Sequence, residues 1–295
     1  MGEPESVLMQ FFKKLGMEKV AWSLRRLHCP VSEEALVLEV GSGGNPYARA
    51  NVLLDAYEDT RERHWVPLKS DRPTVLGFVE NLPFKDKSFD FVIASHVFEH
   101  STDPERFLLE LQRVAKAGYI EVPDAFMERI NPYRDHRLEI TVRHGKLLIR
   151  KKPKSIVDET LVELYSERAK PYIAGVLIPS HPFAFHVRYY WDDSIDFEVI
   201  NPEIDAAWQS PDDQISAPYV VIQKTMRQKL LDTIRVWFSQ QNRNSFIDLL
   251  SLLRCPTCHS GNLKQIENYL ICNNCESDYP MHHGIPQLYV KSKRK

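Results

Sequence analysis

No stretch of the 295 residues approaches the ~18 consecutive apolar side chains that a helix needs to cross a bilayer, which excludes a helical membrane span. Basic charge is not in excess either. Thirty-eight lysines and arginines face 40 acids, for a net charge of -2, and only the tail "VKSKRK" is locally basic. That balance gives no global reason to expect nucleic acid or a membrane surface as partner. The first residues, "MGEPESVLMQFFKK", carry acids where a secretory signal carries bases, so the expected location is cytoplasmic. Internal repeats and low-complexity tracts are missing. Cysteines are too few and too uneven for a disulfide framework: Cys29 stands alone, and Cys255, Cys258, Cys272 and Cys275 fall within 21 residues. What remains is an ordinary globular composition, 43% hydrophobic, long enough for one large domain or two unequal ones.

Residues 6–28 have apolar side chains at near-helical spacing with bases between them, and predict one or two amphipathic helices interrupted near Gly16. "ALVLEV", "NVLLD", "TVLGFV", "SFDFVIAS" and "GYIEVP" read as strands. "DPERFLLELQRVAK" reads as a helix, with Asp103 as cap, Pro104 in its first turn, and Phe107, Leu108, Leu111 and Val114 on one face. Alternating strands and helices predict a parallel sheet covered on both faces. A hairpin follows near 137–151 with His144-Gly145 at its turn, then a helical stretch from Ser155. "FAFHVRYYW" and "APYVVIQK" read as the last strands, with Phe183, Phe185, Val187 and Tyr189 sharing one face of the former. A long helix from Lys224 and a second over "SFIDLLSLL" complete the pattern.

The stretch "VLEVGSGGNPYARANVLLD" leaves a strand at its carboxyl end, where open α/β sheets place ligands. Gly41 and Gly43 allow close backbone approach, Glu39 offers acceptors to a cationic or hydroxyl-bearing ligand, and Asp55 ends the next strand where an acid can clasp a ribose diol. A tight turn without a ligand is the competing reading. A dinucleotide fits poorly: its pyrophosphate wants a helix N-terminus, whereas Pro46 and the short connection leave no room for a helix, and Glu39 would repel phosphate.

The ordered series "VLEVGSGG … VLLD … LPFKDKSFDFVIASHVFEH … DPERFLLELQRVAKAGYIEVP", over about residues 35–125, resembles the class I S-adenosylmethionine-dependent methyltransferases, in the branch with "LPF…SFD" before the fourth strand. The resemblance implies an α/β, Rossmann-like seven-stranded methyltransferase sheet with helices on both faces. It implies that Glu39, Gly41 and Gly43 frame the methionine part of the cofactor, that Asp55 binds the ribose, and that Ser95 and His96 lie beside the sulfonium and the acceptor. The chain departs from the family in three places. Asn45 replaces a glycine, and asparagine tolerates left-handed backbone. The first helix is cut to a turn or less. Phe78 stands where an acid often reads the adenine amine, which leaves adenine to backbone near Val79, to Glu80 and to stacking on an aromatic ring.

Methyl transfer chiefly needs alignment of donor and acceptor, with a base only where the acceptor must lose a proton. His96 is the first candidate for a base or an orienting group, against a packed or capping histidine. Glu99 and His100 of "FEH" read as structural. Tyr133 and His136, in "NPYRDHR", are further catalytic candidates, against a solvated loop.

"CPTCHSGNLKQIENYLICNNC" holds two C-x-x-C knuckles 13 residues apart, which can direct four thiolates at one tetrahedral Zn²⁺. Four ligands close the site, so the metal is expected to be structural. The order "CP-x-C … C-x-x-C … YP … GIP", over roughly 246–290, resembles the small zinc-ribbon proteins that bind and activate tRNA and protein methyltransferases. The resemblance implies a support or recruiting module and a possible protein partner. Cys29 is expected to be buried. The expected organisation is a helical lid over 1–34, a methyltransferase-like domain over 35–225, a helical connector over 226–245 and a zinc ribbon over 246–295. The expected acceptor is a small molecule linked to a sugar, lipid or metabolite. RNA or protein methylation and a non-catalytic scaffold are the alternatives.

Overall fold

The computed structural model describes residues 2, 4–60, 63, 65–130, 132–155, 159–209, 233 and 236–290. Its principal helices are α1 (Val7–Lys14), α2 (Glu18–Leu24), α3 (Pro104–Val114), α4 (Ala125–Ile130) and α5 (Glu159–Arg168). The strands are β1 (Val37–Val40), β2 (Val52–Asp55), β3 (Thr74–Leu76), β4 (Phe89–Ser95), β5 (Ala115–Pro123), β6 (Leu138–Arg143), β7 (Lys146–Lys151), β8 (His186–Asp192) and β9 (Phe197–Val199). Four more follow in the cysteine segment: β10 (Leu263–Ile266), β11 (Tyr269–Cys272), β12 (Asp278–His282) and β13 (Ile285–Pro286). The main sheet has the order β3-β2-β1-β4-β5-β8. It shows six strands among the described residues, not seven. The expected strand "APYVVIQK" lies outside the described residues, as does most of the helix expected from Lys224. No described helix is long and apolar enough to cross a membrane.

The chain divides into two compact units, one of Met1–Ser32, Ser95–Glu105 and Tyr119–Ser216, the other of Glu33–Ala94, Arg106–Gly118 and Ala217–Lys295. In the first, Ser6 caps α1 by accepting from the Met9 amide, and Gly16 at φ +71° separates α1 from α2. β6 and β7 form the expected antiparallel hairpin, with His144 and Gly145 both left-handed, as a two-residue type I′ turn requires. β7 also pairs in parallel with β9. One expectation is corrected here. Residues Pro182–Phe185 form a helical turn, so β8 begins only at His186 and Phe183 is not part of a strand face. Proline at the start of that turn suits a helix N-terminus, and it overrides the apparent alternation.

In the second unit, β1 pairs in parallel with both β2 and β4, and β2 with β3. Every residue of β1, β2 and β3 is buried, as in a sheet covered on both faces. The chain runs outward from β1 through β2 to β3, then returns to β4 on β1's other side. This is the topological switch at which open sheets bind ligands. The helix expected over "SFIDLLSLL" shrinks to the single turn Leu249–Leu252.

Candidate functional site

The connection between β1 and β2 contains no helix, and polar groups replace helical hydrogen bonds. The Arg72 guanidinium donates to the carbonyls of Tyr47, Ala48 and Ala50, and the Tyr47 amide donates to Glu39 Oε2 at 2.7 Å. Buried backbone groups need such partners when no helix supplies them. Gly41 and Gly43 are left-handed, at φ +66° and +57°. Asn45 is not left-handed, so its replacement of a family glycine costs nothing in backbone strain. Gly44, which the sequence reading did not single out, is the glycine with no room: a Cβ there would lie 2.4 Å from Val66 Cγ1 and 2.8 Å from the Pro67 carbonyl oxygen.

Asp55, at the end of β2, is buried and accepts from the Gly43 amide through Oδ2 at 2.9 Å. Its other oxygen meets Arg63 Nη1 at 2.8 Å and the Tyr57 amide at 3.2 Å. Arg63 also lays its side chain over Gly43 and so covers the Asp55 side of the turn. Val79 is buried and Glu80 half-buried in the turn after β3. Phe78 sits between Tyr57 and Tyr289, with ring centroids 5.9 and 5.4 Å apart. Tyr289 comes from the end of the cysteine segment and donates to the Ala56 carbonyl at 2.7 Å. Burial raises its pKa to about 12, with charge from Tyr57, Asp55 and Glu58 adding to the effect.

The other unit holds a network of buried charges. Glu121 on β5 has no exposed surface, and Arg25 grips it with Nε at 2.7 Å and Nη2 at 2.9 Å. Ser95 Oγ and Tyr119 Oη also donate to it. His96 stands at φ +55° directly after β4, a strained conformation for a non-glycine residue. Its Nε2 lies 3.3 Å from Glu121 and its Nδ1 3.4 Å from Glu99. The chain packed around the ring opposes its charge, although about a third of the side chain (36%) stays exposed; hydrogen bonds and charge from the two carboxylates outweigh that and raise its pKa to about 9. Burial likewise disfavours the Glu121 carboxylate, yet His96 and Arg25 hold its pKa well below the ordinary value. His96 was expected as a base or an orienting group, and this placement favours the second. Both ring nitrogens face carboxylates, so neither offers a lone pair to a proton.

Tyr133 and His136 are placed together, with stacked rings 4.6 Å apart. His136 is buried, and its Nδ1 meets Glu128 Oε2 at 2.7 Å; Glu128 also pairs with Lys152. A ring so enclosed is packed rather than presented to an acceptor.

The two cysteine knuckles repeat one backbone pattern. His259 and Glu276 are left-handed, and their amides return to the carbonyls of Cys255 and Cys272, each at 2.9 Å. β10 and β11 form the hairpin that brings the knuckles together. The four Sγ atoms lie within 4.8 Å of one another, with Cys255–Cys275 and Cys258–Cys272 each at 3.6 Å. Tetrahedral thiolates around zinc stand ~3.8 Å apart, from Zn–S bonds of ~2.3 Å. The arrangement is compatible with a zinc ribbon. Cys29 is half-buried rather than buried. In the same unit the cysteine segment meets the β3 edge: the Leu288 amide donates to the Leu76 carbonyl at 2.8 Å, and Leu76 bridges Gln287 in parallel.

Residues 38–120 match the model of the family described as "Methyltransferase domain". Over that segment the chain is similar to a methyltransferase domain. An uncharacterized methyltransferase of Mycobacterium sp. (strain JLS) is 28% identical over 171 residues, which cover 52% of this chain and 67% of that protein. An uncharacterized protein of Methanocaldococcus jannaschii is 30% identical over 81 residues, or 28% of this chain, and the chain spans only 40% of its length. A solved complex of the Haloferax volcanii Trm112 methyltransferase activator with a methyltransferase contains a chain 18% identical to this one, at a TM-score of 0.37, covering 63% of this chain and 96% of that one.

Proposed function

We propose that this protein transfers a methyl group from S-adenosylmethionine to a small-molecule acceptor linked to a sugar, lipid or metabolite. The observation that carries the proposal is the Asp55–Gly43 hydrogen bond within the matched segment: it sets an acid and two left-handed glycines at the end of adjacent parallel strands. The residues fit the cofactor. Glu39 and the glycines Gly41, Gly43 and Gly44 suit an ammonium-bearing tail and close backbone approach. Asp55 suits the ribose diol. Phe78, Tyr57 and Tyr289 suit an adenine face, which replaces the acid missing at position 78. S-adenosylmethionine supplies an electrophilic methyl carbon on a sulfonium. The protein's own task is then to align the acceptor and exclude water. His96, held between Glu99 and Glu121, sets its ring and positive charge beside the acceptor and so orients it.

The four cysteines, in this reading, hold one structural Zn²⁺. Contact of the ribbon with β3 supports a second reading, in which the ribbon serves RNA or protein methylation. The Arg63–Asp55 ion pair supports a third, a non-catalytic scaffold. Titration calorimetry with S-adenosylmethionine and S-adenosylhomocysteine decides between enzyme and scaffold. Binding weakened about 10- to 100-fold by Asp55→Ala is expected, from the ~1.5–3 kcal/mol of a hydrogen bond to a charged group. No binding by folded, zinc-loaded protein would sink the enzyme reading. An acceptor screen against small molecules, RNA and peptides separates the first two readings, and metal analysis should return zinc bound at the cysteines.

A further inference from the structure

The "FEH" sequence after β4 contains a polar cluster that methyl transfer does not use. Glu99, His100 and His136 each offer a ligand atom, and these atoms lie within 4.8 Å of one another. Glu99 is 2% exposed, and its Oε2 has no hydrogen-bond partner among the described residues, although Oε1 faces His96. A buried carboxylate oxygen with no donor needs an explanation, and a bound cation is one. The second independent observation lies behind His136. Glu128 Oε2 meets His136 Nδ1 at 2.7 Å, which fixes the ring and leaves Nε2 as the ligating nitrogen. Lys152 neutralises Glu128 from its other side. The Asp135 carbonyl lies 3.3 Å from His100 Nδ1. Such carboxylate and carbonyl partners behind histidines are how proteins orient metal-binding imidazoles.

The geometry points to a divalent transition-metal site formed by Glu99, His100 and His136. Two imidazoles and one carboxylate suit zinc, iron, cobalt or nickel rather than magnesium or calcium. Ligand bonds of ~2.0–2.2 Å need the three atoms to draw in to about 3–4 Å, which side-chain torsions can supply. The ion ties the turn Phe98–His100 to the loop that enters β6 at Leu138, and so steadies the segment that carries His96. Glu99 and His136 are buried, while His100 is half-buried and leaves the ion an approach from that side.

The test uses full-length protein whose ribbon is already zinc-loaded, titrated with Co²⁺ by calorimetry and visible absorption. One added equivalent is expected, with weak d–d bands and no thiolate charge-transfer band, which would mark displacement at the cysteines. Glu99→Gln and His100→Gln should each lower the Co²⁺ affinity at least ten-fold, with circular dichroism showing that the fold persists. Glu128→Gln should weaken binding by less than loss of a ligand does. Wild-type protein that takes up no equivalent beyond the ribbon overturns the proposal, whatever the variants do. Unchanged Co²⁺ affinity in a folded Glu99→Gln protein also overturns it.

Discussion

Arg63 is the residue on which the cofactor reading is most exposed to disproof. Its Nη1 holds Asp55 Oδ1 at 2.8 Å and also donates to the Tyr57 carbonyl, while Nη2 and Nε donate to the carbonyls of Glu58 and Val66. If Asp55 receives the ribose hydroxyls, the ligand must displace this contact. Two unit charges ~4 Å apart attract by about 4 kcal/mol at an effective dielectric of 20. Lost hydration and side-chain entropy reduce the net value of such a largely covered pair to about 1 kcal/mol. Removing the competitor should return that energy to the ligand. Arg63→Met keeps the alkyl stem that covers Gly43 but drops the charge. S-adenosylhomocysteine should then bind about five-fold tighter, since 1.4 kcal/mol is about ten-fold. Calorimetry at fixed pH and salt measures it, in wild-type and Asp55→Ala backgrounds. Because Arg63 acts through Asp55, its substitution should have no effect once Asp55 is alanine. Binding weakened more than three-fold by Arg63→Met would refute the reasoning and make Arg63 a ligand contact.

The other predictions concern stability and coupling. Arg25→Met leaves Glu121 buried without its bidentate partner and should cost about 3 kcal/mol, the low end for broken buried pairs, because Ser95, Tyr119 and His96 remain. The double variant Arg25→Met/Glu121→Gln should recover much of this in denaturant unfolding, and a single-variant cost below about 1 kcal/mol would contradict it. The pKa of Glu121 is depressed in the folded state, so its contribution is complete above the unfolded value near 4.5 and is lost as pH falls through the folded value. Melting temperature should therefore fall less steeply with acid in Glu121→Gln. Gly44→Ala should cost about 1–3 kcal/mol by overpacking against Val66 and Pro67, read as a lower melting temperature. Stripping metal from the cysteines should weaken S-adenosylhomocysteine binding about 2- to 10-fold, because Tyr289, at the end of the cysteine segment, packs its ring at a tilt against Phe78; unchanged affinity would show that the aromatic group does not meet the ligand.

Much of the architecture was legible because its signals are local. The apolar runs at β1, β2 and β4, the helical face of α3, the His144-Gly145 turn and the cysteine spacing each report on a few neighbouring residues. The missing first helix was legible too, because Pro46 and a short connection leave it no room. The failures share a cause. "FAFHVRYYW" alternates over nine residues, yet the chain turns helical at Pro182, where the packing of Phe185 with Met127 and Ile178 prevails over a period of two. His96 was read as a base or an orienting group, and its sequence neighbours gave no sign of Glu121, 25 positions away, against its second nitrogen.

The sequence by itself determined which chemical groups exist and in what order: an acid and glycines after one strand, an acid after the next, two thiol pairs near the end. Hydrophobic period, proline geometry and ligand spacing are properties of short segments, and they survive in a string of letters. Tertiary structure alone decided which charges neutralise one another. Arg25 finds Glu121 across 96 residues, His136 turns its ring to Glu128, and Tyr289 reaches Phe78 from the ribbon. An ionisable group's state depends on burial and on partners within a few ångströms, and those are fixed only when distant segments pack.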